Sequence, residues 1–327
     1  MTNPATTPFD ADPILVEVLR SGFVESVHRG RVAVTAPDGT LSASLGDAFA
    51  PMYPRSSSKP LQAVGMLRAG LDLPSEQVAV TCASHSGEEF HQHAVQQILV
   101  SVGLDELALQ TPPDWPLDDE CRLALIRAGG RPSPLAMNCS GKHAGMIATS
   151  VINRWPTETY RDPQHPTQLA ILRALDDLTG EQAINLAVDG CGAPLYAVSL
   201  AGLARAYGRL AVATAGPESL VRTAILEHPE YVSGTRRDEL ALHRALPGVV
   251  AKAGAEAVYA VGLPDGRGVA LKISDGSARG RAAAMAGVLQ RLGHDHPTLT
   301  EQASAAVFGH GERVGEIRPS AAALAAL

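Results

Sequence analysis

The sequence predicts an α+β protein in which strands from both ends of the chain build one antiparallel sheet, with a largely helical part inserted between them. Three observations predict it. Residues 14–45 and 250–276 read as alternating, β-type patterns, each broken by a Pro-Asp-Gly turn (Pro37-Asp38-Gly39 and residues 264–266) of the kind that joins hairpin strands. The intervening chain carries apolar residues at three- and four-residue intervals, the spacing of helices with one buried face. No internal repeat or low-complexity linker divides the two patterns, so 1–327 reads as a single domain, with 12–50 and 250–293 as its sheet part and 56–245 as its helical part.

Taken in order, ILVEVLRSG, FVESVHRG and RVAVTAPDGTLSASLG supply the first strands. Helices are predicted in PLQAVGMLRAGL, GEEFHQHAVQQILVSVGL, LDDECRLALIRAGG, GKHAGMIATSVINRW, HPTQLAILRALDDLTG and PLYAVSLAGLARAYGRL, interrupted by one short strand, INLAVDG. The β pattern returns in AEAVYAVGLPDGRGVALKISDG, and ARGRAAAMAGVLQRLG makes a last amphipathic helix. A cleft between sheet and helical part is the natural place for a pocket.

The 327 residues are 45% hydrophobic and 19% charged, enough apolar material for a sizeable core. A net charge of −7 with no basic block argues against a nucleic-acid surface and for a small-molecule partner. The N-terminus MTNPATTPFDADP has neither a basic n-region nor an apolar stretch, so no export signal is expected; no run is long enough for a membrane span, and a cytoplasmic location follows as the expectation. Four cysteines are too few and too scattered for a disulfide framework and read as thiols. Cys121, at helical spacing from Leu125, reads as a core filler.

Chemistry concentrates in five clusters. RSSSKPLQA puts Ser56 and Lys59 three apart, on one face if the helix has begun; a lysine kept neutral can take a serine proton, and Ser-x-x-Lys serves acyl-transfer enzymes this way. Serines ahead of a helix also serve as caps, but one cap needs one serine. TCASHSGE packs Ser84, His85 and Ser86 at a helix entrance, where capping accounts for one serine and Glu88. MNCSGKHAGM and DGCGAP each place a cysteine, Cys139 or Cys191, in a glycine-bearing turn before a helical pattern, a setting that favours thiolate and hence metal binding or nucleophilicity. Lys142 follows Cys139 by three. Lys252 precedes the first C-terminal strand, and Lys272 in GVALKISDG is its rival; lysines at strand edges are usually solvated.

Together, in this order, RSSSKPLQA, TCASHSGE, MNCSGKHAGM, DGCGAPLYAVSLAGLARAY and AKAGAEAVYAVG closely resemble the rhizobial-type asparaginases, the asparaginase II family, from about Leu15 to about Gly293. The resemblance implies a fold related to class A β-lactamases and serine-dependent glutaminases, a homodimer, and hydrolysis of L-asparagine to L-aspartate and ammonia. It implies one Ser-Lys tandem in Ser56 with Lys59 and another in Ser84 with Lys252, or with Lys272 in its place. It also implies a zinc position on Cys139, Lys142 and Cys191, with Asp189 and His143 close by as substrate contacts. The metal would orient the substrate's polar end, since Ser56 already supplies the nucleophile. Arg55 is expected to steer the substrate carboxylate. The chain looks shorter between motifs than such enzymes, which affects loop-borne substrate contacts. The alternatives are a glutaminase or another β-lactamase-like serine amidase on the same scaffold, and a non-catalytic amino-acid-binding protein.

Overall fold

A computed structural model describes residues 11–327; residues 1–10, which carry most of the segment from which no export signal is expected, lie outside the described residues. The main sheet has the order β10-β11-β1-β2-β9-β8-β7, with β3 paired to β2, and every pairing is antiparallel. Its strands are β1 (Ile14–Arg20), β2 (Phe23–Thr35), β3 (Leu41–Leu45), β7 (Val250–Gly254), β8 (Val258–Gly262), β9 (Gly268–Ile273), β10 (Ala305–Gly309) and β11 (Glu312–Pro319). Both termini therefore enter one sheet. The Pro-Asp-Gly turns join β2 to β3 and β8 to β9, and Gly39 and Gly266 hold φ of 85° and 89°, which only glycine adopts without strain.

Side-chain alternation covers the sheet on both faces. Val32, Val34, Tyr259, Val261, Val269 and Leu271 pack with the helix Arg281–Arg291, whereas Ala33, Val258, Ala260 and Ala270 join the core of the helical part. The helix Leu200–Ala211 lies closest on that second face. Gly262 and Gly268 permit this approach, because a Cβ on either would run into the backbone carbonyl of Tyr207 or Ala204.

Three details depart from the sequence reading. Residues 194–199 form a strand, β6 (Pro194–Ser199), that pairs with β4 (Pro51–Met52) and β5 (Ile184–Val188) in a small second sheet. The helix starts only at Leu200, where Ser199 caps it by accepting the Gly202 N–H. The sheet also continues past residue 293 through β10 and β11, which cover the outer edge of β1. Cys121 is not a core filler: its helix, Asp119–Arg127, buries no residue, and the thiol is half-buried near Arg236. Among the described residues, no helix is long and apolar enough to cross a membrane.

Candidate active site

Arg55–Ser58 forms a short 3₁₀ turn that runs into the helix Lys59–Arg68. The three serines separate by use. Ser57 Oγ donates to Pro54 O and Ser58 Oγ to Arg55 O, so both satisfy their own turn and neither caps a helix. Ser56 makes no such local bond; it lines a cavity of about 300 Å³, at the small end of the range for small-molecule pockets. Arg55 holds a φ of 51°, an uncommon conformation for a side-chain-bearing residue and a local strain spent immediately before Ser56.

The expected direct contact between Ser56 and Lys59 is replaced by a relay. Ser84 Oγ lies 3.0 Å from Ser56 Oγ, and Lys59 Nζ lies 3.2 Å from Ser84 Oγ. Lys59 Nζ also donates to Ala83 O and approaches Cys139 Sγ at 3.2 Å. The lysine of the first motif thus engages the serine of the second. Lys59 is 1% exposed and Lys252 fully buried, so both amines sit behind the cavity wall, away from bulk water.

Of the two lysines expected to partner Ser84, Lys252 is on the strand that packs against the Ser56 turn, but its hydrogen bonds go to Ala253 and Glu239 and not to Ser84. It lies on β7, whose end packs directly against the Ser56 turn: a Cβ on Gly254 would lie 2.8 Å from Pro54 O, 3.0 Å from Ser57 N and 3.3 Å from Ser56 N. Its Nζ donates to Ala253 O at 2.8 Å and faces Glu239 Oε1 at 3.4 Å. Burial pushes its pKa down to about 8; Glu239 opposes the shift, and the charge of Lys59 adds to it. Lys272 instead points to the carbonyls of Glu256 and Ile273, beside a separate surface pocket.

The cysteine clusters meet on the other side of Lys59. Lys142 Nζ is 3.1 Å from Cys191 Sγ, and both are buried. The proximity of Cys139, with the Lys142 charge and against burial, draws the Cys191 pKa down and favours its thiolate; the same proximity and burial push Cys139 up. His143 Nδ1 pairs with Tyr160 at 2.6 Å, while its Nε2 is buried without a hydrogen-bond partner. Two thiols and an orphaned imidazole nitrogen are donors of the type zinc takes; Lys142, whose pKa is drawn up, against burial, by the charges of Cys191, Cys139 and Asp189, would have to lose its proton to join them. Among the described residues no group of three or more His, Cys, Asp or Glu side chains is disposed to hold a metal ion, so a metal here depends on Lys142 as a donor.

Asp189 and Arg55 form one wall, with Arg55 Nε 2.9 Å from Asp189 Oδ1 and Arg55 Nη1 3.8 Å from Glu256. Three participants escaped the sequence reading. Asn138 Oδ1 accepts from Cys139 Sγ at 3.0 Å and lies 3.5 Å from Ser84 Oγ; it sits in MNCSGKH but drew no attention beside the cysteine. Glu239 and Arg237 bring a carboxylate and a guanidinium from the start of the helix Asp238–Ala245; they stand in the charged run TRRDE, which by itself looks like a solvated helix start. His85 is structural: its Nε2 pairs with Ser140 Oγ at 2.8 Å and its Nδ1 accepts the Gly87 N–H, which fixes the turn that carries Ser84.

The family model for L-asparaginase II matches residues 16–319. Among solved structures, the chain is similar to Mglu in its native form, at 16% identity and a TM-score of 0.44, over 86% of this chain and 70% of that one. A further Mglu structure aligns at 17% identity and a TM-score of 0.45, over 95% and 81%. A β-lactamase from Mycobacterium bovis aligns at 14% identity and a TM-score of 0.41, over 76% and 88%. No curated protein gives a significant match.

Proposed function

The chain belongs to the L-asparaginase II family, a family of amidohydrolases, and from that membership we propose that it hydrolyses L-asparagine to L-aspartate and ammonia with Ser56 as nucleophile. One observation carries the assignment: the unbroken Ser56–Ser84–Lys59 line, with steps of 3.0 and 3.2 Å, at the wall of a cavity of about 300 Å³. Ser56 Oγ attacks the side-chain amide carbon while its proton passes through Ser84 Oγ towards the Lys59 amine. The Ser56 amide stands in the first turn of a helix, where N–H groups lack intrahelical acceptors, and is a donor for the developing oxyanion. Ser84 then returns a proton to the departing ammonia, and water releases aspartate from the Ser56 ester.

Lys252 stands behind this line as a second buried amine. Burial, with the charge of Lys59, draws its pKa down to about 8. Asp189, held by Arg55, offers its carboxylate to the substrate's α-ammonium. Cys139, Cys191 and Lys142 would hold a Zn²⁺, which when bound supplies Lewis-acid orientation of the substrate's polar end. Asn138 keeps Cys139 and Ser84 in register. Ammonia release measured with L-asparagine and L-glutamine tests the proposal. Asparagine should be much the faster, and equal rates on both would refute it.

A further inference from the structure

Three guanidinium groups border the cavity, from Arg55, Arg281 and Arg237, and their surroundings differ. Arg55 is flanked by two carboxylates, Asp189 and Glu256. Arg281 has a side chain only 10% exposed, and its Nη2 bonds both oxygens of Asp238 at 2.7 Å. Arg237 is a quarter exposed, and among the described residues its contacts run through Nε alone, to Glu239 Oε2 at 3.3 Å. Its two terminal nitrogens remain for a ligand.

Glu239 itself is divided. Its Oε1 faces Lys252, its Oε2 faces Arg237, and Arg281 lies 4.0 Å away. The cluster therefore sets three basic groups, Arg237, Lys252 and Arg281, around two carboxylates, Asp238 and Glu239. Because Glu239 is shared between Lys252 and Arg237, the Arg237 guanidinium at the cavity is only partly neutralised and favours an anion there. Of the three basic groups, Arg237 is the most exposed, a quarter against a tenth for Arg281, whose unpartnered Nε is buried; among the described residues both terminal nitrogens of Arg237 are unoccupied, and a guanidinium fork matches a carboxylate.

We propose that Arg237, braced by Glu239, docks the α-carboxylate of the amino-acid amide substrate. The inference rests on the reading of the protein as an asparaginase. It leaves Arg55 to position Asp189 and gives the two ends of the zwitterion separate partners, Asp189 on one wall and Arg237 on another. Substrates without an α-carboxylate would leave Arg237 unpaired and lose this contribution.

The test compares L-asparagine with 3-aminopropanamide, which is asparagine without its α-carboxylate, in the wild-type enzyme, Arg237→Gln, Arg237→Lys and Arg55→Gln. Ammonia release by the wild type reports on the function itself; the ratio of kcat/KM between the two substrates reports on Arg237. Arg237→Gln should lower kcat/KM for asparagine about 10- to 100-fold, mainly through KM, as expected for a lost charge-assisted contact. The value for 3-aminopropanamide should stay within about twofold, and Arg237→Lys should fall between. A wild-type enzyme inactive on asparagine would overturn the functional reading and this inference with it. In an active enzyme, an equal fall on both substrates in Arg237→Gln, or a selective asparagine loss in Arg55→Gln instead, would overturn this inference alone.

Discussion

Replacing Glu239 with glutamine keeps its shape and removes its charge, and the structure sets how much that should cost. Lys252 is fully buried with a pKa lowered from 10.5 to about 8, which corresponds to about 3 kcal/mol lost by keeping it charged in the fold even with Glu239 present. Because the folded protein sheds this proton before the unfolded chain does, Lys252 alone makes stability rise as pH climbs from about 8 to 10.5. Glu239 acts in the opposite sense: against burial, the charges of Lys252, Arg237 and Arg281 hold its pKa well below 4.5, so its contribution is present above that value and lost as pH falls beneath it. Breaking a buried pair from one side costs about 3–5 kcal/mol. Glu239→Gln should therefore lose about 3 kcal/mol between pH 6 and 7, roughly 5–10 °C in Tm. The loss should shrink above pH 8, where wild-type Lys252 is already neutral. Any basic-side limb in kcat governed by Lys252 should move to lower pH, since the group that raises its pKa is gone. Thermal denaturation of both proteins from pH 6 to 10 is the assay. A destabilisation that stays constant across that range, or none at all, would refute the reasoning.

The remaining predictions concern the relay, the strand behind it and the metal. Ser56→Ala and Lys59→Ala should each abolish turnover with the fold intact, and the double variant should be scarcely worse than either; losses that multiply would show that the two do not act as one unit. Gly254→Ala should force β7 off the Ser56 turn, since the new methyl meets backbone 2.8–3.3 Å away; kcat should fall, with a stability loss of about 1–3 kcal/mol in chemical denaturation. Elemental analysis after mild dialysis at neutral pH should find close to one zinc per chain, and chelation should raise KM more than it lowers kcat. Less than a tenth of an equivalent, with asparagine affinity unchanged on adding zinc back, would leave the cysteines as buried thiols.

The parts of this site that were legible in the sequence are those whose chemistry is dense over a few residues. Ser56, Ser84 and Cys139 each stand in a short polar stretch before a helix and Cys191 in a glycine-bearing turn between two strands, and the fold brings all four to one cavity. Spacing gave less about wiring. Ser56 and Lys59 are three apart, yet Lys59 Nζ reaches Ser84, a partner 25 residues away that no local period can reveal. Glu239 and Arg237 were hidden because their meaning arises only when the start of their helix meets β7. The same limit explains the strand at 194–199: PLYAVS alternates as well as it steps in threes and fours, and pairing with Pro51–Met52 and residues 184–188 decides the matter. At the C-terminus, residues 305–319 are short and glycine-containing as strands, and only the open edge of β1 gives them a partner.

The central claim is that Ser56 carries the hydrolysis of asparagine, and ammonia release by the wild-type protein and Ser56→Ala, on L-asparagine and L-glutamine, tests it most directly. The account predicts rapid release from asparagine by the wild type, much slower release from glutamine, and none above background from Ser56→Ala with an unchanged melting curve. Asparagine turnover that survives Ser56→Ala, or a wild type that handles both amides equally, would contradict it.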